Sequence, residues 1–457
     1  MNTYLDFREF FGLNPQNRYL AHMKDYVIHW FRRDLRLKDN TALHHAIQHK
    51  IPVKCIFIFD AEILKHLPKQ DKRVAFILQQ LLALKKSLRK LDSDLLILKG
   101  YPTEIWKDLA QDSHLKAVFT NRDYEPYALQ RDEKVQRLLA QKNIEFHTFK
   151  DQIVFEKNEV LTQAGKPYKV CTPYKNQWKK ILEPDRNLKA LPVALKKFHF
   201  YSFFNDDFET LESIGFKNVE NPNLPTDLQN IDINHYEKER DLPYLDNDTS
   251  KIGTALRFGT LSIREAMRYA MQHNETFWNE LIWREFFSQV LAHYPEVVSK
   301  AFKPKYDFIA WRNNEKEFER WCQGKTGIPI VDAGMRELNA TGFMHNRVRM
   351  IVGSFLVKNL LIDWRWGEAY FAEKLMDFDL TSNNGNWQWV AGCGTDAAPY
   401  FRVFNPITQA EKFDPNQKYI KKWIPELGTA KYPEPMVDLK SSRLRCLEVY
   451  KKAVKEI

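Results

Sequence analysis

Long apolar runs are missing from this 457-residue sequence: none approaches the ~18 residues that cross a bilayer as a helix. Residues 1–25 are too polar and aromatic to act as a secretory signal, so the chain reads as cytoplasmic. Cysteine is sparse too. Cys55, Cys171, Cys322, Cys393 and Cys446 are odd in number and never form a C-x-x-C pair, which argues against a disulfide framework and a structural zinc; no metal is expected. Glycine numbers only 16, and no G-x-G-x-x-G follows any apolar run. The backbone cradle with which a sheet domain holds a dinucleotide pyrophosphate is therefore absent, and any nucleotide cofactor has to sit elsewhere.

Aromatic residues, by contrast, make up 14% of the chain, and 69 Lys and Arg outweigh 59 Asp and Glu to leave a net charge of +10. That excess suits a polyanionic partner such as DNA, and it equally suits a solvated basic surface. The stretch "SNNGNWQWVAGCGTDAAPYFRVFNP" at 382–406 concentrates tryptophan, asparagine and glycine with almost no acid or base. Flat rings without general acid–base partners point to redox or light chemistry, against the plainer reading of a core aromatic cluster.

From 26 to 150, short apolar runs ("YVIHWF", "PVKCIFIFD", "DLLILKG", "KAVFTN", "IEFHTF") alternate with amphipathic segments. This βαβαβαβαβ order predicts a doubly wound parallel sheet covered on both faces, an α/β domain. Residues 151–240, rich in Pro, Asn, Lys and aromatics, read as an interdomain linker preceded by the sheet domain and an N-terminal extension over 1–25. From 241 to 457 the apolar spacing is near 3.6 residues, which predicts an all-α domain.

Helical spacing sorts several polar groups onto shared faces. In "TFWNELIWREFF", Glu280, Trp283, Arg284 and Phe287 fall at i, i+3, i+4 and i+7. In "MHNRVRMIVG", Asn346, Arg349, Met350 and Gly353 share a face, with Arg347 at its edge. Each set reads as a pocket wall or as an ordinary amphipathic helix. In "DNDTSKIGTALRFG", Thr249, Ser250 and Lys251 precede a helical run, as a phosphate site or as plain N-capping by Asp248 or Thr249.

Taken jointly, five separated stretches resemble the photolyase and cryptochrome flavoproteins, in family order: "WFRRDLRLKDNTAL", "TSKIGTALRFGTLS", "NELIWREFF", "GKTGIPIVDAGMRELNATGFMHNRVRM" and "NNGNWQWVAGCGTDAAPYFRVFNP". The "NWQW…GTDAAPYFRVFNP" run is most similar to the class I cyclobutane pyrimidine dimer photolyases. The resemblance implies a Rossmann-like antenna domain, a helical domain that holds FAD, and light-driven electron donation to a flipped-out dimer in damaged DNA. The same cofactor without repair activity, in a cryptochrome-type photoreceptor, is the alternative; a monomer is expected.

By motif match, Tyr236, Thr249, Ser250, Lys251, Ile252 and Gly253 approach the flavin's phosphates and ribose, and Asn346, Asp377, Asp379 and Asn383 its ring and ribitol. Arg349 is expected to pair with Asp377. The family usually has Arg and Ser where Lys251 and Gly253 stand. The resemblance implies that Glu280, Trp283, Asn346, Met350 and Trp389 hold the dimer, that Asn383 stands at flavin N5, and that Trp387, Trp364 and Trp311 relay electrons. Arg347, Arg402 and Lys412 are the expected phosphate contacts. A second, antenna chromophore is expected near Asn121 and Glu125, methenyltetrahydrofolate first, with a deazaflavin or flavin as alternatives.

Overall fold

The computed structural model describes residues 24–220, 223–245 and 249–455. All but the last two residues of the expected N-terminal extension, and the cap candidate Asp248, lie outside these.

The chain forms two compact units. In the first, β1 (Tyr26–Phe31), α1 (Thr41–Gln48), β2 (Val53–Asp60), α2 (Lys72–Arg89), β3 (Leu95–Gly100), α3 (Pro102–Leu109), β4 (Leu115–Asn121), α4 (Pro126–Ala140) and β5 (Glu145–Phe149) alternate as expected. The five strands are parallel in the order β3-β2-β1-β4-β5. Successive β1 side chains point to opposite faces, so Val27 and Phe31 enter one apolar cluster and Tyr26, Ile28 and Trp30 the other. With helices on both faces, neither set can be polar, which is why "YVIHWF" reads as one continuous run. His29, the polar exception, is fully buried beside Asp34 and Asn40, and burial pushes its pKa down to about 4.

The second unit is helical. Its relevant helices are α5 (Cys171–Ile181), α6 (Tyr236–Glu239), α7 (Gly253–Phe258), whose last residue belongs to the first unit, α8 (Glu275–His293), α9 (Pro329–Thr341), α10 (Asn346–Ser354), α11 (Trp364–Lys374), α12 (Leu380–Ala391) and α13 (Pro406–Phe413). Side chains satisfy the N–H groups left free at several helix starts: Asn274 caps α8, His345 α10, Asp363 α11 and Asp379 α12. α12 stops at Gly392, whose φ of +85° is the left-handed conformation a glycine adopts at low cost. Glycine also sets how closely the helices approach. A Cβ on Gly367 would collide with the Trp387 ring, and one on Gly385 with the Phe287 ring, so α11 meets α12, and α12 meets α8, at these two bare positions.

The expected linker, 151–240, is divided between the units rather than spanning them as a free connection. Residues 153–188 and 224–257 belong to the helical unit, and 189–223 and 258–263 to the sheet unit. The buried Glu285 carboxylate of α8 anchors the first piece, accepting from Val154 N at 2.7 Å, Phe155 N at 3.0 Å and Trp178 Nε1 at 2.6 Å. In the other piece Phe200, Leu211, Ile214 and Phe216 are built into the sheet unit's core. These anchors are single tertiary contacts and leave no periodic trace in the sequence.

No described helix is long and apolar enough to cross a membrane, and all five cysteines are free.

Candidate active site

α7, α8, α10, α11 and α12, with Arg240 from the turn that ends α6, surround a cavity of about 440 Å³ in the helical unit. The wall from α8 consists of Glu280, Trp283, Arg284 and Phe287, the set that helical spacing placed on one face. The wall from α10 consists of Asn346, Arg347, Arg349, Met350 and Gly353, again the expected set. α12 supplies Ser382, Asn383, Asn386, Trp387, Trp389 and Val390. Aromatic and aliphatic side chains here alternate with convergent charged and amide groups, which suits a polar cofactor or substrate.

Two carboxylates mark the floor between α11 and α12. Asp377 accepts from Arg349 Nη2 at 2.9 and 3.2 Å, the ion pair expected from the sequence. A Cβ on Gly253 would lie 3.0 Å from the Asp377 Cβ and Oδ2, so this chain's glycine lets α7 close onto that carboxylate. Asp379 accepts from Thr381 Oγ1 at 2.5 Å and Ser382 N at 3.2 Å while Arg257 stands 3.5 Å away. Beside them the Asn383 side-chain nitrogen donates to Glu368 Oε1 at 2.7 Å and to the Glu368 carbonyl at 3.0 Å. Burial pushes the Glu368 pKa up, and the Asn383 hydrogen bond partly offsets it.

At the mouth, Arg240 Nη1 donates to Glu280 Oε1 at 2.6 Å, and Arg347 pairs with Asp241 at 2.7 Å. Trp283 packs on Phe286 and Phe287, each with ring centroids 5.6 Å apart.

Of the expected flavin contacts, Gly253, Asn346, Arg349, Asp377, Asp379 and Asn383 line the cavity, whereas Tyr236, Thr249, Ser250, Lys251 and Ile252 lie outside its lining. Tyr236 stands edge-on to Phe277 at 5.0 Å, and Lys251 lies 5.5 Å from the Phe343 ring centroid. The residues nevertheless fit an FAD. Among the described residues the buried Thr249 hydroxyl has no hydrogen-bond partner, as would a hydroxyl that serves a phosphate oxygen. Asn383, Asp377 and Arg349 give the cavity the mixed donors and acceptors that the flavin's ring and ribitol require.

Trp387 lines the cavity, and Trp364 and Trp387 are buried in one core cluster with Trp311 packed against it. Of the expected phosphate contacts, Arg347 is on the lining; Arg402 and Lys412 are exposed outside it. Arg347 and Lys412 both lie over the Phe413 ring, at 4.4 and 5.1 Å from its centroid.

In the sheet unit, Asn121 is 3% exposed and its amide is fully used. It donates to Asp34 at 2.7 Å and Asn40 at 2.8 Å and accepts from Ala42 N at 3.0 Å. This engagement braces the ends of β1 and β4 and competes with the expected chromophore contact. Glu125 accepts from Arg33 at 3.0 Å.

Sequence reasoning missed Arg240, Arg257 and Glu368. Each reaches its partner over 15 to 122 residues of chain, and no local spacing announces such a pair. The one available signal was glycine inside helices, at 367 and 385, which marks close approach.

A family model described as the FAD binding domain of DNA photolyase matches residues 277–431, and another described as DNA photolyase matches residues 27–194. The deoxyribodipyrimidine photo-lyase of Halobacterium salinarum is 36% identical, with 93% of this chain and 98% of that protein covered. A class III photolyase from Agrobacterium tumefaciens superposes with a TM-score of 0.85 at 32% identity, covering 96% of this chain and 100% of that one. An archaeal photolyase from Sulfolobus tokodaii with two FAD molecules gives a TM-score of 0.81 at 35% identity, covering 94% and 100%. With the cavity, its aromatic walls and its Arg349–Asp377 pair in the matched region, this chain belongs to the DNA photolyase family.

Proposed function

We propose that this chain repairs cyclobutane pyrimidine dimers in DNA, driven by light absorbed at a reduced FAD. When bound, the flavin supplies an electron that enters the dimer and is recovered after the cyclobutane ring has opened. All other tasks fall to side chains.

The first is to admit the lesion. A dimer inside a duplex has to be flipped out before its bonds can be reached, and photolyases are themselves among the enzymes on which this rule rests. A dimer stacks and pairs poorly, so extracting it costs less than extracting normal bases. The second task is to hold it. Trp283 on α8 and Trp389 on α12 line the same cavity, and stacking on such rings is worth about 1–3 kcal/mol per base. Glu280 serves as acceptor for the imide N–H groups of the dimer, and Asn346 and Met350 complete the pocket. The third is to set the electronics: Asn383 has committed its amide nitrogen to Glu368, so its oxygen is the group left for flavin N5.

The observation that carries this reading is the gathering of Glu280, Trp283, Asn346, Met350 and Trp389 around one cavity with Asn383. Light reception without repair does not require that set. Trp387, Trp364 and Trp311 are read as the path by which electrons reach an oxidised flavin. Arg347, Arg402 and Lys412 are read as phosphate contacts, and the protein as acting in the cytoplasm wherever its +10 charge carries it to DNA. For the sheet domain we keep an antenna chromophore of the folate, deazaflavin or flavin class, supported by the second FAD of the Sulfolobus tokodaii photolyase.

The test is dark binding to an oligonucleotide carrying one thymine dimer, against the same strand undamaged. Trp283→Ala is expected to weaken dimer binding by about 1–3 kcal/mol, roughly 5- to 150-fold, and to leave undamaged binding unchanged. An equal loss on both strands would overturn the stacking role.

A further inference from the structure

The turn that ends α6 sets two opposite charges side by side, Arg240 and Asp241, and each pairs with a different wall of the cavity mouth. Arg240 holds Glu280 of α8, and Asp241 holds Arg347 of α10. The second pair bears on how the protein grips nucleic acid.

Asp241 Oδ1 accepts from Arg347 Nη2 at 2.7 Å and from Nε at 3.2 Å. One carboxylate oxygen takes both N–H groups, so the pair lacks the fork-on-fork match that makes bidentate arginine pairs strong. The two side chains are 19% and 37% exposed, in the range where ion pairs contribute little in water. The guanidinium nevertheless stays in place, because it also lies on the Phe413 ring that carries Lys412. The mouth thus presents two cations on one aromatic platform, with a single weakly held carboxylate over the one that lines the cavity.

Asp241 occupies the Nε and Nη2 edge of the Arg347 guanidinium, so a backbone phosphate that approaches by that edge must displace it, and one that reaches the Nη1 side meets a cation whose charge Asp241 already offsets. The phosphate offers two oxygens to the guanidinium plane where Asp241 offers one, and it releases condensed counterions on binding. The exchange therefore favours the phosphate, less the cost of expelling Asp241 and leaving its charge beside the DNA.

We propose that Asp241 is a built-in competitor for DNA phosphate at Arg347, which lowers the protein's hold on nucleic acid so that undamaged strands are released. This rests on the reading of Arg347 as a phosphate contact. A strand whose dimer enters the cavity gains stacking and hydrogen bonds on which Asp241 has no influence, and it is retained. The acidic residue limits the sequence-independent part of binding, which is almost wholly electrostatic.

The experiment uses the full chain with its flavin bound, in the dark, and an undamaged duplex labelled for fluorescence anisotropy across a salt series. Asp241→Asn is expected to bind about two- to fivefold tighter near 0.1 M salt, the range a part-exposed ion pair covers, with a salt slope steeper by about one. Arg347→Gln is expected to bind more weakly with a slope shallower by about one. In the double variant the gain from Asp241→Asn should vanish, and Asp241→Glu should retain wild-type affinity. Unchanged affinity and slope in Asp241→Asn overturn the proposal. So does weaker binding, which would make Asp241 a positioning residue, and so does a gain that persists in the Arg347→Gln background, which would reflect bulk charge alone. An unchanged slope in Arg347→Gln itself would show that the placement of Arg347 at a phosphate fails, and the competitor role would fall with it. Flavin absorbance and the thermal midpoint of each variant establish that the fold is retained.

Discussion

The side chain of Asn383 donates twice to Glu368, at 2.7 Å to the carboxylate and at 3.0 Å to the backbone carbonyl, and thereby ties α12 to α11 at the cavity wall. Burial raises the Glu368 pKa, so in the folded state this group resists ionisation relative to the unfolded chain. A raised carboxyl pKa means that the native state holds more protons within the window between the two values. The resulting penalty is absent below the ordinary carboxylate range, grows as pH rises through it, and is complete above the folded pKa.

Asn383 relieves part of that penalty. Asn383→Ala is expected to destabilise the protein by about 1–3 kcal/mol at about pH 8, where the carboxylate would be left buried without its donor, and by less at about pH 5. Glu368→Gln, which keeps an acceptor and removes the charge, should flatten the difference between the two pH values. Urea midpoints for the three proteins at both pH values check this, and an Asn383→Ala cost independent of pH would contradict it.

Gly385 stands where a methyl group would enter the Phe287 ring. Gly385→Ala is expected to cost about 1–3 kcal/mol through overpacking between α12 and α8, despite the better helix propensity of alanine. Phe287 lines the cavity, so its displacement should also reduce the flavin retained on purification. A midpoint equal to or above that of the wild type would show that the two helices separate without strain.

Trp311 lies at the edge of the core cluster that contains Trp364 and Trp387, 5.9 Å from Tyr450. Trp311→Phe is expected to slow photoreduction of the oxidised flavin by at least about tenfold, while repair by chemically pre-reduced protein stays within about twofold of wild type. Flavin absorbance under steady blue illumination reads the first quantity and dimer loss the second. Loss of both activities would remove Trp311 from the relay.

The sheet was legible because a parallel sheet covered on both faces forces continuous apolar strands such as "YVIHWF", with amphipathic helices between them. The two chief cavity walls were legible for a similar reason: spacing along α8 and α10 alone selects Glu280, Trp283, Arg284 and Phe287, and then Asn346, Arg349, Met350 and Gly353. The division of residues 151–240 between two units was not, because it depends on Glu285 collecting backbone N–H groups more than a hundred residues away. The same holds for Arg240 on Glu280 and Glu368 on Asn383, which fulfil no local pattern. At Asn121 a motif position suggested a ligand contact, and the bonds its amide makes to Asp34, Asn40 and Ala42 in the folded chain have no local signature either.

The central claim is light-driven opening of a pyrimidine dimer, and the most direct measurement is recovery of thymine absorbance. The flavin-loaded protein, chemically reduced, is mixed with an oligothymidine that carries cyclobutane dimers and illuminated with blue light beside a dark control. Recovery in the light alone, diminished in Trp283→Ala and in Glu280→Gln, is the expected result. A bound, reduced and light-absorbing flavin that leaves the dimers intact would contradict the account.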